Sequence, residues 1–321
     1  MTKRMSLWVL GLMIGAAGAC APERGQPAQS SAFDRSQLLE DLRVLSADDM
    51  EGRRVGTDGG AKARAFVLER FRASGLEPHG SYEQAFTFTA GRDEARREVT
   101  GVNVVGRVPG ADASGPCVVV TAHYDHVGVR NGEVFNGADD NASGTAALFA
   151  IGRHFSAAPP EHCLMLAALD GEEGGLRGAR AFVEHPPVPL RSIVLNVNLD
   201  MIGRDPDDTL YAVGTHHYPW LKPYLEQVAA GASVRLLMGH DEPGRAGVED
   251  WTRDSDHFAF HEAQVPFVYF GVEDFPQHHQ ATDDYDTITH DFYVRAVETI
   301  IEALRVFDAN LAAIAAARGE R

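Results

Sequence analysis

Glu172 and Glu173 stand side by side after an apolar run, Leu164-Met165-Leu166-Ala167-Ala168-Leu169, and immediately before Gly174-Gly175. If that run is a buried strand, the pair lies at its carboxyl end, where open α/β sheets hold their ligands. Neighbouring side chains on an extended or turning backbone diverge, so one carboxylate can bind a cation while the other faces a substrate. The chemistry such a division allows is metal-dependent hydrolysis. A lone acidic doublet is usually solvated surface charge, and the candidacy of this one comes from its company. His123 follows a second apolar run, Asp200 a third, and Asp139 and Asp140 occupy the glycine-rich entry to a helix. Asp125, two residues after His123, can orient a ligating imidazole and fix its tautomer. Taken singly, His123 reads as a hydrogen-bonded structural histidine, Asp139 or Asp140 as a helix cap, and Asp200 as an ordinary strand-end carboxylate.

The elements that must position these residues alternate between helical and strand patterns, which predicts a layered α/β/α domain. Residues 34–45 read as a helix with Asp34 and Gln37 spaced as a capping box, and residues 61–74 as a helix that stops at Gly75. Strands are expected over 85–89 and 99–108, then over 118–122, which leads into His123. A helix over 141–155, a strand over 163–169, a helix over 176–184 and a strand over 193–199 follow, the last ending at Asp200. A late strand over 266–270 and one long helix over 292–316 close the chain. Residues 205–247 are polar and irregular enough to hold an insertion, and no internal repeat or second domain is visible.

The 321 residues, 44% hydrophobic, easily supply a buried core. A net charge of -17 argues against nucleic acid or an anionic membrane surface as partner. The N-terminus reads as an export signal: Lys3 and Arg4, an apolar stretch from Leu7 to Ile14, then small residues. It is too short for a confident membrane span. Ala17-Gly18-Ala19-Cys20 resembles a bacterial lipoprotein cleavage site, with Cys20 as the lipidated residue and ordinary signal cleavage as the alternative. Either way the protein is expected to be exported, to the periplasm or outer membrane if lipidated and otherwise secreted, with membrane attachment only through that lipid. Residues 21–32, rich in Pro, Gln, Ser and Gly, read as a flexible tether, and the folded domain is expected over 33–318. Cys117 and Cys163 each open an apolar run and could pair in an oxidising compartment or remain buried thiols.

Six segments in this order resemble the M28 metallopeptidases: His123-Tyr124-Asp125, Gly137-Ala138-Asp139-Asp140-Asn141-Ala142-Ser143-Gly144, Gly171-Glu172-Glu173-Gly174-Gly175-Leu176, Asn198-Leu199-Asp200-Met201, Ser255-Asp256-His257 and His279-Gln280-Ala281-Thr282-Asp283. Upstream, Gly52-Arg53-Arg54-Val55-Gly56-Thr57 and Gly75-Leu76-Glu77-Pro78 also look like that family's N-terminal region. The resemblance implies a three-layer α/β/α fold of the zinc-exopeptidase kind, with a central mixed, mostly parallel sheet. It implies two zinc ions per chain, one held by His123 and Asp200 and the other by Glu173 and His279, with Asp140 bridging them. Glu172 would be the general base and acid, a metal-bridging hydroxide the nucleophile, and Asp125 the partner of His123. The implied activity is removal of N-terminal residues from peptides; carboxypeptidases and glutaminyl cyclases on the same scaffold are the alternatives, and a non-catalytic binding module is one of another class.

His279 is preferred to its neighbour His278 and to His290 because Gln280-Ala281-Thr282-Asp283 follows it. Some family members stabilise the tetrahedral intermediate with a tyrosine. Here the two positions that could carry it are His278 and Thr252, which leaves His278 as a possible substitute or as an exposed histidine. His257 is expected to be structural or substrate-side, and Arg204 an ion-pair partner. Cys117 and Cys163 lack a paired histidine and are not read as nucleophiles.

Overall fold

The computed structural model describes residues 33–91, 96–111, 115–245 and 247–319. The expected export signal, Cys20 and the tether lie outside the described residues. Two helices open the fold, α1 (Arg35–Leu45) and α2 (Asp58–Ala73), followed by strands β1 (Glu83–Ala90), β2 (Arg97–Val108) and β3 (Cys117–His123). A small hairpin, β4 (Gly128–Arg130) and β5 (Glu133–Phe135), precedes α3 (Gly144–Ala157) and β6 (Cys163–Leu169). Then come α4 (Arg177–Glu184), β7 (Ile193–Leu199), β8 (Thr209–Val213), α5 (Lys222–Gly231), β9 (Arg235–Met238), α6 (His257–Glu262), β10 (Phe267–Gly271), α7 (His290–Ala309) and α8 (Leu311–Gly319).

Eight strands form one sheet in the order β1-β2-β6-β3-β7-β10-β8-β9. Four of its seven pairings are parallel and three antiparallel, the mixed and mostly parallel sheet that was expected. The central strands are buried along their whole length, which explains why they read as continuous apolar runs rather than alternations. Period-two geometry sends their side chains to two cores. From β6, Leu164, Leu166 and Ala168 join the large core built with α1, α2, α3 and α7, whereas Met165, Ala167 and Leu169 join a smaller core with Phe182 of α4 and Phe260 of α6. Each fully buried Leu or Phe in these layers contributes about 1.5–3 kcal/mol. Cys117 and Cys163 face the smaller core, lie opposite each other in the β3–β6 pairing and form a disulfide.

Three expectations are corrected. Residues 205–247 are no insertion: they supply β8, α5 and β9 and so complete one edge of the sheet. The closing helix is broken at Asn310 into α7 and α8, where the Asn310 side chain turns back to bond the Val306 carbonyl at 2.7 Å. The capping box is half formed: Asp34 accepts the Gln37 backbone N–H, but the Gln37 side chain bonds Asp41 instead of reaching back. Among the described residues no helix is long and apolar enough to cross a membrane.

Arg53 ties the N-terminal region to the sheet. It is fully buried and donates to the carbonyls of Leu45, Tyr124, Asn136 and Gly137. Burial pulls its pKa down to about 10 against the opposing pull of Asp140 and Asp283, so it stays charged at neutral pH. Two of those carbonyls, of Asn136 and Gly137, belong to the loop that leads into Asp139 and Asp140, so Arg53 braces that loop.

Candidate metal centre

The strand ends converge as the sequence anticipates. His123 is the last residue of β3, Asp200 follows β7 directly, and Glu172 and Glu173 follow β6 by a short turn. The sheet order places β6, β3 and β7 side by side, so residues far apart in sequence meet over three adjacent strand ends. The fourth contribution, Asp140, comes from a wide helical turn over Ala138–Ser143 that leads into α3. Its entry residue, Gly137, has φ of 54°. A Cβ there would lie 2.1 Å from the Asp140 carbonyl and 2.5 Å from the His126 ring, so only glycine fits.

The donors fall into overlapping groups. His123 Nε2 lies 3.3 Å from Asp140 Oδ1 and 3.3 Å from Asp200 Oδ2. His279 Nε2 lies 3.2 Å from Asp140 Oδ2 and 3.2 Å from Glu173 Oε2. Asp140 thus presents one oxygen to each group. The sequence reading missed His126, which is completely buried, with Nδ1 2.8 Å from Glu173 Oε1 and 3.4 Å from Asp140 Oδ2. The repeat of histidine in His123-Tyr124-Asp125-His126, inside a run that stays buried through Gly128, was the available signal.

The arrangement fits cations. His126 Nδ1 and Glu173 Oε1 are close, yet neither makes a hydrogen bond, and Asp200 Oδ1 also lacks a partner. Buried polar atoms are almost always paired. Three sets, His123-Asp140-Asp200, His126-Asp140-Glu173 and Asp140-His278-His279, each bring their donor atoms within 4.8 Å of one another. Nitrogen and carboxylate oxygen are the donor chemistry of zinc. The electrostatics agree: Asp140 and Glu173 hold His279 up at about 10. Glu173 is pulled down to about 2 by His126 and His279 although burial opposes it.

Supporting contacts assign the remaining residues. Asp125 does not orient His123 through its carboxylate, which is 3.8 Å from Nδ1; its backbone carbonyl does so at 3.1 Å. The carboxylate instead accepts the Glu172 backbone N–H at 3.0 Å, linking the turn after β6 to the end of β3. Asp139 points away from the cavity, ion-paired with Arg204 and accepting the Gly203 N–H at 2.7 Å. Asp283 accepts the backbone N–H groups of both Asp139 and Asp140 and also pairs with Arg204, as expected of that arginine. Ser255 donates to Asp200 Oδ2 at 2.6 Å and is itself held by Asn198 at 2.9 Å. His257 bonds the Trp251 carbonyl and stacks on Tyr269, and it joins none of the donor sets.

A cavity of about 440 Å³ opens over these residues, with Glu172, His278 and His279 in its lining. Carboxylate and imidazole donors gathered at the carboxyl ends of a mixed sheet, with one further glutamate facing the same cavity, define a metal-dependent hydrolase scaffold. Residues 103–304 match the model of peptidase family M28, and the chain belongs to that family. It is 30% identical over 179 residues to aminopeptidase YwaD of Bacillus subtilis, a match covering 53% of this chain and 35% of that protein. Over 178 residues it is 33% identical to a vacuolar membrane protease of Schizophyllum commune, covering 53% of this chain and 18% of that one. The chain thus spans about a third or less of these relatives. Among solved structures, the zinc aminopeptidase BSAP from Bacillus subtilis superposes with a TM-score of 0.68 at 18% identity, over 86% of this chain and 95% of that one. The glutaminyl cyclase of Porphyromonas gingivalis gives 0.67 at 18% identity, over 86% and 99%.

Proposed function

We infer that this chain is a zinc-dependent exopeptidase acting at the N-termini of peptides. The observation that carries the reading is the cavity itself: the donor groups form its floor, Glu172 faces it, and its rim is acidic. Glu249, Asp254 and Asp274 line it alongside one arginine, Arg253, whose guanidinium lies 4.6 Å from the centre of the Phe258 ring. Carboxylates at the rim suit a peptide's α-ammonium and repel a terminal carboxylate.

His123, Asp140 and Asp200 would hold one zinc; Asp140, Glu173, His279 and His126 would hold a second. Bound zinc supplies polarisation of the scissile carbonyl and lowers the pKa of water. The chain's own residues do the rest. Glu172 belongs to neither donor group, and its backbone is fixed by Asp125. Burial, together with the nearby carboxylates of Asp256, Asp200 and Asp125, pushes its carboxyl well up, a direction that suits a group taking a proton from water and returning it to the leaving amine. His278 lies in the same cavity with Nδ1 3.0 Å from Asp274, which raises its pKa and favours the protonated ring. Its other nitrogen can then donate to the oxyanion, the part a tyrosine plays in relatives.

His126→Gln is expected to weaken the second zinc site by at least the roughly 10–100-fold lost when only an outer partner of a ligand is removed. Zinc titration against a chelating indicator measures this, and an unchanged second affinity would take His126 out of the donor set. The activity is tested with amino-acid p-nitroanilides, N-blocked peptides and an N-terminal glutaminyl peptide. Release only from unblocked N-termini is expected. Release from blocked peptides with free C-termini would make the enzyme a carboxypeptidase, cyclisation of the glutaminyl peptide a cyclase, and protein without zinc or zinc-restored turnover a binding module.

A further inference from the structure

A second cavity, of about 110 Å³, lies beside the donor set, and Glu173 lines both it and the main cavity. Its chemistry is the opposite of the acidic rim. Arg54, Arg97 and Arg130 line it, with Phe88 and Val99 as apolar wall, and Asp125 and His126 join Glu173 in the remainder of the lining. The fold gathers them from three places. In the β1–β2 pairing Phe88 lies opposite Val99 and Ala90 opposite Arg97, which puts these side chains on one face of the hairpin. Arg54 follows the buried Arg53 and packs over Gly128, where an added Cβ would come within 2.8 Å of the Arg54 Cβ. Arg130 ends β4 with its guanidinium 5.4 Å from the centre of the Phe135 ring.

None of the three forms an ion pair with a carboxylate among the described residues, although the chain has 46 acids against 29 cations. Three guanidiniums around an apolar-walled cavity form an anion site. The planar fork of arginine matches a carboxylate in two-point contact. At about 30 Å³ per water, the cavity has room for roughly three or four waters, enough for a carboxylate and its nearest substituent.

We propose that this cavity binds the C-terminal carboxylate of a short peptide whose N-terminus lies in the acid-rimmed cavity. The proposal rests on the exopeptidase reading and narrows its substrates to free oligopeptides of a few residues. Glu173 lines both cavities, with Gly174 in the lining of the arginine cavity and Gly175 in that of the main one, so the two adjoin at this turn.

The test compares tri-alanine with its C-terminal amide. The free acid is expected to show a kcat/KM about tenfold or more above the amide, the scale of one hydrogen-bonded charge. In an Arg97→Gln, Arg130→Gln double variant the acid falls to the amide's value while the amide changes little. Equal kcat/KM for acid and amide in the unaltered protein overturns the proposal. An amidated peptide with an internal glutamate is the third arm: if it matches the free acid, the cavity reads an acidic side chain and the C-terminal assignment is overturned. Calorimetric binding of acid and amide to Glu172→Gln protein separates the two layers. No turnover of any peptide sinks the exopeptidase reading, whereas the arginine cavity is judged on whether the acid binds more tightly.

Discussion

Replacing Glu172 with glutamine is expected to lower kcat by about 10²–10⁴-fold, the usual contribution of a positioned acid–base group, while leaving zinc content unchanged. The two parts of the prediction have separate origins. Glutamine keeps the shape and one acceptor oxygen of glutamate but cannot take or return a proton, so the loss falls on kcat rather than on binding. Zinc content is preserved because Glu172 is in none of the sets whose donor atoms converge. Its backbone N–H still reaches Asp125 in the variant, so the neighbouring Glu173 keeps its place beside His126 and His279. Single-turnover kinetics and metal analysis on one preparation check both halves. Turnover within about tenfold of the parent at full zinc occupancy would move the proton transfer to another group.

That the two glutamates have different surroundings was legible in the sequence only as a divergence of adjacent side chains. The strand-end positions of His123, Glu172, Glu173 and Asp200 could be read because the buried strands are continuous apolar runs and each run stops at a polar residue. Three things could not be read. His126 directly follows Asp125 and looks like part of the same turn; its proximity to Glu173 depends on β3 and β6 being parallel neighbours. Strand β8 and the edge strand β9 are five and four residues long and carry intermediate or exposed positions, so no period stood out from the surrounding polar chain. The burial of Arg53 is set by four carbonyls drawn from separate segments, and arginine is otherwise a surface residue.

Asp139 and Asp140 present the same difficulty in its sharpest form, because they are identical in type and adjacent, and either could cap a helix. The structure gives them opposite surroundings, and opposite phenotypes are expected. Asp140→Asn should weaken both zinc sites by more than the roughly 10–100-fold lost with an outer partner, since its two oxygens serve two groups: Oδ1 faces His123, and Oδ2 faces His126 and His279. The amide offers one neutral oxygen where two charged ones stood, so both ions should be lost together rather than in sequence. Asp139→Asn should leave zinc affinity and kcat per folded molecule nearly intact but lower thermal stability. Its carboxylate faces Arg204 and the Gly203 N–H, and unpairing a buried cation costs about 3–5 kcal/mol when no partner remains. Asp283 still pairs with Arg204 in that variant, which holds the loss toward the lower end of that range. Isothermal zinc titration and thermal melts of the two variants, run side by side, distinguish the roles. Equal zinc loss in both would mean that the doublet acts as one unit and that Asp140 is not the sole bridge.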